Sequence, residues 1–141
     1  MKMSEIMDIA TSGMRVQRTR MTVTASNIAN AQTTRTEEGG PYRRRDPVFQ
    51  SQRVAKPFAS RLEQSLRTVE VDSIARDPRE PVTRYLPHHP DANEDGYVEF
   101  PNVNLVEEQA NLVSSSRSFQ ANLLVISKVR SMAEALMRIG Q

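Results

Sequence analysis

Few stretches of this chain carry side chains whose types and spacing could do chemistry. Asp91-Ala92-Asn93-Glu94-Asp95-Gly96 matches the opening of an EF-hand calcium loop, with Val98 at the loop's hydrophobic position. Such a loop presents oxygen ligands at positions 1, 3, 5, 7, 9 and 12 around a glycine-dependent turn. Here Asn102 replaces the bidentate Glu, Pro101 stands where the exiting helix should begin, and Pro87 and Pro90 break any entering helix. The stretch reads as a polar turn between strands. Arg43-Arg44-Arg45 beside Tyr42 could neutralise phosphates. Glu37, Glu38 and Asp46 flank the triplet, so nucleic acid is not expected. A basic loop, or a docking edge for an acidic protein surface, fits better. His88-His89 with Asp91 could ligate a metal. Adjacent residues of a strand point to opposite faces, however, and no distant partner is evident. No nucleophile–base triad, phosphate loop or dinucleotide fingerprint occurs, and no carboxylate pair stands out. We expect a non-enzyme without cofactor or metal. The absence of Cys excludes disulfides, thiolate metal sites and Cys nucleophiles.

The elements that position these residues divide by proline. All eight prolines fall between Pro41 and Pro101. Proline inside a helix removes a donor and clashes with the preceding turn, at about 3 kcal/mol. Both ends are thus free to be long helices and the middle is not. Segment charges follow: +2 over 1–34, +3 over 35–58, −4 over 59–102 and +1 over 103–141. In the first arm Met7, Met14, Met21 and Ile28 recur every seven residues, with Met3, Ala10, Gln17, Thr24 and Ala31 interleaved. A 3.5-residue period describes a narrow stripe for another helix. The pattern predicts a helix over about 4–31, capped by Ser4. In the last arm Leu105, Leu112, Phe119, Ile126 and Ala133 repeat by seven, Val129 and Leu136 join them, and Ser115, Ser116 and Asn122 occupy partner positions. Asn104 with Glu107 reads as a capping box for a helix over about 105–139. The middle predicts strands at 66–74, 82–86 and 97–100, after a long mobile stretch near 35–60.

The fold class expected is mainly α with a small β part. The terminal helices pair as an antiparallel coiled coil around a central β-hairpin and loop domain, with segments 1–34, 35–102 and 103–141. With 141 residues, 38% apolar and 5% aromatic, a core of ordinary density is not expected. The longest aliphatic run, Leu123 to Ile126, is far short of a membrane span of about 20 residues. Glu5 and Asp8 interrupt any secretory apolar region, so cleaved export is not expected, and a route leaving the N-terminus intact stays open. A narrow seam does not offset the backbone entropy of ordering two long arms. We therefore expect arms that fold on packing against neighbouring subunits. The heptad methionines are either plain core or an adaptable surface for non-identical neighbours. Asn27 and Asn30, three apart on one helix face, either end the helix or bridge subunits by hydrogen bonds.

Ser12-Gly13-Met14 through Gln17, Arg18 and Arg20-Met21, then Ala25-Ser26-Asn27-Ile28-Ala29-Asn30-Ala31 and Thr33-Thr34, resembles the N-terminal signature of flagellar axial rod and hook proteins. Tyr42-Arg43-Arg44-Arg45 with Pro47-Val48-Phe49, His89-Pro90-Asp91-Ala92-Asn93 with Gly96-Tyr97-Val98, Pro101-Asn102-Val103-Asn104, and Ser118-Phe119-Gln120-Ala121-Asn122 narrow the resemblance to the proximal rod family. Residues 50–74 depart from the family pattern. The resemblance implies a non-enzymatic, self-assembling basal-body rod subunit that carries motor torque toward the hook. It implies export unfolded through the flagellar type III apparatus and assembly in the periplasm. Its partners would be the FlgB and FlgF rod proteins, further copies of itself and the adaptor FliE. From the two seams and the Asn27/Asn30 face, the assembly surface expected is Met7, Met14, Met21, Asn27, Ile28, Asn30, Leu105, Leu112, Phe119, Ile126 and Leu136, with Arg43, Arg44 and Arg45 as a polar contact between subunits. The rival expectation is a coiled-coil adaptor that binds an anionic surface through its arginine loop.

Overall fold

Freed of proline, the two ends form helices. In the computed structural model, residues 3–53 and 66–139 are described. They comprise α1 (Met3–Ala29), β1 (Arg45–Arg53), β2 (Arg67–Arg76), β3 (Val82–Tyr85), β4 (Tyr97–Phe100) and α2 (Leu105–Ile139). The architecture is mainly helical, with two small antiparallel sheets between terminal helices. α2 begins where Asn104 Oδ1 accepts the backbone N–H groups of Val106 (3.0 Å) and Glu107 (3.4 Å), the N-cap expected. α1 already includes Ser4, which therefore lies in its first turn and not at its cap.

The helices run antiparallel. Asn27 of α1 bonds Glu108 of α2, and Gly13 lies against Asn122, so fourteen residues back along one helix match fourteen forward along the other. The face of α1 that is buried is Ala10, Val16, Val23, Thr24 and Asn27. Val16 and Val23, which the heptad reading put off the seam, are core. Met14, Met21 and Ile28 are half-buried and Met7 is exposed. The rotation has a cause: α1 is covered by α2 and also by the β1–β2 hairpin, so its buried stripe lies between two neighbours. On α2 the buried positions are Glu108, Ser115 and Val129, spaced by heptads, with Leu112, Phe119, Ile126 and Ala133 half-buried beside them.

β1 and β2 pair antiparallel from Arg45↔Arg76 to Arg53↔Arg67, with a bulge between Val48 and Phe49. The hairpin lies lengthwise along α1. Arg45 meets Asn27, the Arg20 guanidinium sits 4.8 Å over the Phe49 ring, and Val69 N–H donates to Ser12 Oγ at 3.3 Å. The stretch expected to be mobile near 35–60 thus holds β1 over 45–53, while 54–60 falls outside the described residues. β3 and β4 pair from Val82↔Phe100 to Tyr85↔Tyr97 and bury Val98. Gly96, at φ 80°, permits the turn into β4, because a Cβ there would come within 2.9 Å of Tyr85 Cε2.

Candidate functional site

The polar residues of the sequence converge where α1 ends, β1 begins, β2 ends and α2 begins. α1 stops at Ala29 because Asn30 turns its amide back onto the Ser26 carbonyl (2.9 Å) and Thr33 Oγ1 donates to Asn30 Oδ1 (3.2 Å). Thr33 then accepts the Tyr42 N–H on its carbonyl, which returns the chain to α1. One turn earlier, Asn27 is 1% exposed and makes four hydrogen bonds. Its Nδ2 donates to the Arg45 carbonyl (2.8 Å) and to Glu108 Oε2 (2.9 Å). Its Oδ1 accepts from the Tyr42 hydroxyl (2.9 Å) and the Arg45 N–H (3.0 Å). The carboxamide thus pairs with both backbone groups of Arg45 as a neighbouring strand would, closing the outer edge of β1 at its start.

Glu108 is also 1% exposed, and Arg44 Nε donates to its Oε1 at 2.8 Å. The Arg44 carbonyl accepts the Asp77 N–H (2.8 Å), and its guanidinium lies 3.8 Å from Asp77 Oδ2 and 3.5 Å from Asp46 Oδ2. Burial alone would lower the Arg44 pKa. The hydrogen bond and charge of Glu108, helped by Asp46, outweigh it and leave Arg44 held above its ordinary value. Asp77 titrates at about 2, well below the ordinary carboxylate range. Its main cause is the Arg79 side chain, whose Nε lies within 3.0 Å of both Asp77 oxygens, and the Arg79 N–H and the Arg44 charge add to it. A buried charge is tolerated only when paired and hydrogen-bonded, and both oxygens of Glu108 are.

The arginine triplet is therefore split. Arg44 faces inward, onto Glu108, while Arg43 and Arg45 are exposed; Arg43 reaches the Arg79 carbonyl (2.9 Å) and Arg45 lies 5.8 Å from the Tyr42 ring. Asn30 is held at the helix end. Leu105 and Leu136 are exposed, and Leu112, Phe119 and Ile126 line the helix pair half-buried. The calcium-like stretch is a turn. Asp91 Oδ2 accepts from Thr34 Oγ1 at 2.7 Å, and Asn93 Oδ1 accepts the N–H groups of Asp95 (3.1 Å) and Tyr97 (2.8 Å). Among the described residues no three His, Cys, Asp or Glu groups gather to hold a metal, and no helix is long and apolar enough to cross a membrane. The sequence reading missed Glu108, Asp77 and Arg79, and named Tyr42 only as the neighbour of the arginines. For Glu108 a signal existed: it lies one heptad before Ser115, so an acid occupies a seam position.

Away from the junction α2 reverses character. Val106, Val113 and Leu124 are spaced by seven and eleven, five full turns in all, and form one line on the face away from Glu108. They are 75%, 51% and 62% exposed. Met132, Leu136 and Met137 are exposed as well, and by the helix register they lie at or past the described start of α1. Three aliphatic side chains of α2 thus face outward, while two of the three buried positions on its inner side, Glu108 and Ser115, are polar.

Two family models match the chain: flagella basal body rod protein over residues 7–35, and flagellar basal body rod FlgEFG protein C-terminal over residues 94–139. These spans hold Asn27 and Glu108 respectively. Among curated proteins, the flagellar basal-body rod protein FlgC of Borreliella burgdorferi is 39% identical over 145 residues, covering 95% of each chain. FlgC of Salmonella typhimurium is 38% identical over 141 residues, the whole of both chains. FlgC of Bacillus subtilis is 35% identical over 146 residues and 96% of each.

Proposed function

The chain belongs to the FlgC family of flagellar basal-body rod proteins, and from that membership we propose that it is a structural subunit that polymerises into the proximal rod and transmits motor torque toward the hook. The observation that carries the reading is the outward line Val106, Val113 and Leu124. A two-helix unit that leaves a full line of aliphatic side chains in water is half of a thicker bundle. Neighbouring subunits would supply the other helices, and in that setting the arms wind as a coiled coil. The expected surface then includes Met7, Leu105 and Leu136, which the single chain leaves exposed. Partners would be FlgB, FlgF, other copies and FliE, met in the periplasm after type III export. Segments 1–34 and 103–141 would line the inner tube and 35–102 would face outward. The role is structural rather than catalytic. The arginine-loop adaptor is the weaker reading, because Arg44, the middle of the triplet, is turned onto Glu108.

Leu124→Asp and Val113→Asp test the proposal by swimming assays and isolation of basal bodies. The variants should be expressed and folded like the parent, yet give no completed rod and no motility. Normal swimming by both would overturn the reading.

A further inference from the structure

We propose that Glu108 is a register latch: by bridging Asn27 of α1 and Arg44 ahead of β1, its carboxylate selects the single antiparallel alignment of α2 on α1. The remainder of the seam discriminates weakly. Gly13 lies against Asn122, the buried Ala10 and Thr24 on one helix and Ser115 on the other are small, and Gln17 Oε1 is buried with no hydrogen-bond partner among the described residues. A slide by one heptad exchanges Val16 for Val23 on one helix, or Leu112, Phe119 and Ile126 for one another on the other, apolar groups of similar size. Glu108 is different. Slid one way it would face Arg20, which is already stacked on Phe49; slid the other way it would pass the end of α1. Only the observed alignment gives Oε1 the Arg44 guanidinium and Oε2 the Asn27 amide. A buried carboxylate without them is strongly disfavoured, and fixing register is the best-attested use of a buried polar group in a helix pair. Arg44 comes from outside both helices and is itself held by the Asp77 N–H. The latch therefore ties the alignment of α2 to the start of the hairpin.

The chain has no cysteine, so engineered pairs report register directly. Gly13→Cys with Asn122→Cys reads the observed alignment, and Gly13→Cys with Ser115→Cys or Val129→Cys reads slides of one heptad. In the otherwise unaltered full chain the first pair should oxidise at least about tenfold faster than either other. With Glu108→Leu/Arg44→Leu, which removes both charges of the pair together, this preference should shrink to about threefold or less while helical circular dichroism persists. Glu108→Gln keeps the carboxamide contact and should lower the preference by about threefold or more, and it decides the matter if the double variant loses its helices. No preference in the unaltered chain overturns the latch. So does an undiminished preference in the helical double variant, or in Glu108→Gln when the double variant has lost its helices.

Discussion

The two sides of α2 use opposite chemistry. Toward α1 its most buried positions are Glu108 and Ser115, and away from α1 its most prominent side chains are Val106 and Leu124. Val129, Leu112, Phe119 and Ile126 also lie on the inner side. A self-sufficient two-helix protein, however, would give aliphatic groups the most buried positions too and leave no aliphatic line outside, because burying aliphatic groups drives association and burying charge opposes it. The inner side gives the helix pair a defined geometry, and the outer side keeps the hydrophobic gain for contacts the chain cannot make alone. The comparison breaks if the inner polar groups contribute little to stability, or if the outer apolar groups contribute much.

The largest effect should follow Glu108→Ala. It leaves Arg44 buried with a poorly matched charge and Asn27 one acceptor short, and breaking a buried pair in this way costs about 3–5 kcal/mol. Urea unfolding followed by circular dichroism should show that loss, and a change below about 1 kcal/mol would mean the junction is ornamental. Asn27→Ala comes next, at about 2–3 kcal/mol, since four hydrogen bonds vanish and the Arg45 N–H and carbonyl lose their partners at the edge of β1. Hydrogen exchange at Arg45 should accelerate in that variant before exchange in α2 does.

A smaller effect is set by acid. Asp77 has a folded pKa of about 2 against an ordinary 3.8. A depressed carboxylate contributes stability that is fully present above the unfolded value and is lost as pH falls toward the folded one. The window is therefore about pH 4 down to 2. Because the Arg79 partner is half-exposed, the contribution is about 1 kcal/mol after screening. Asp77→Asn should flatten this limb of the stability–pH curve and leave the neutral plateau about 1 kcal/mol lower.

Much of this architecture is legible from residue order, for identifiable reasons. Proline confined to 41–101 marks both helices, and Asn104 places the start of α2 at the observed residue. The alternation around Val69 and Val71 and the Gly96 turn give β2 and β4. β1 is not legible, because Arg45 to Arg53 is polar and holds Pro47, which local propensity reads as loop. It exists through pairing with β2 and through Asn27 at its edge, both non-local. The exact face of α1 is hidden for the same reason: a heptad count locates one neighbour, and α1 has two. Asn27 and Arg44 could be suspected singly, but their common partner Glu108 follows only once the helices are known to be antiparallel and in register.

The smallest effect sharpens the comparison most. Leu124→Asp places a charge on the outer line, where the native side chain is already 62% exposed. Surface substitutions away from caps, cores and networks stay within about 0.5 kcal/mol. Its nearest in-line neighbour Val113 is also exposed, so the new carboxylate meets water and not a cavity wall. The unfolding midpoint of the isolated chain should therefore match the parent, even though the same substitution is expected to stop the rod. A loss of about 2 kcal/mol or more in the isolated chain would show that Leu124 is covered within one molecule. The outer face of α2 would then be part of a core, and the contrast with the Glu108 side would disappear.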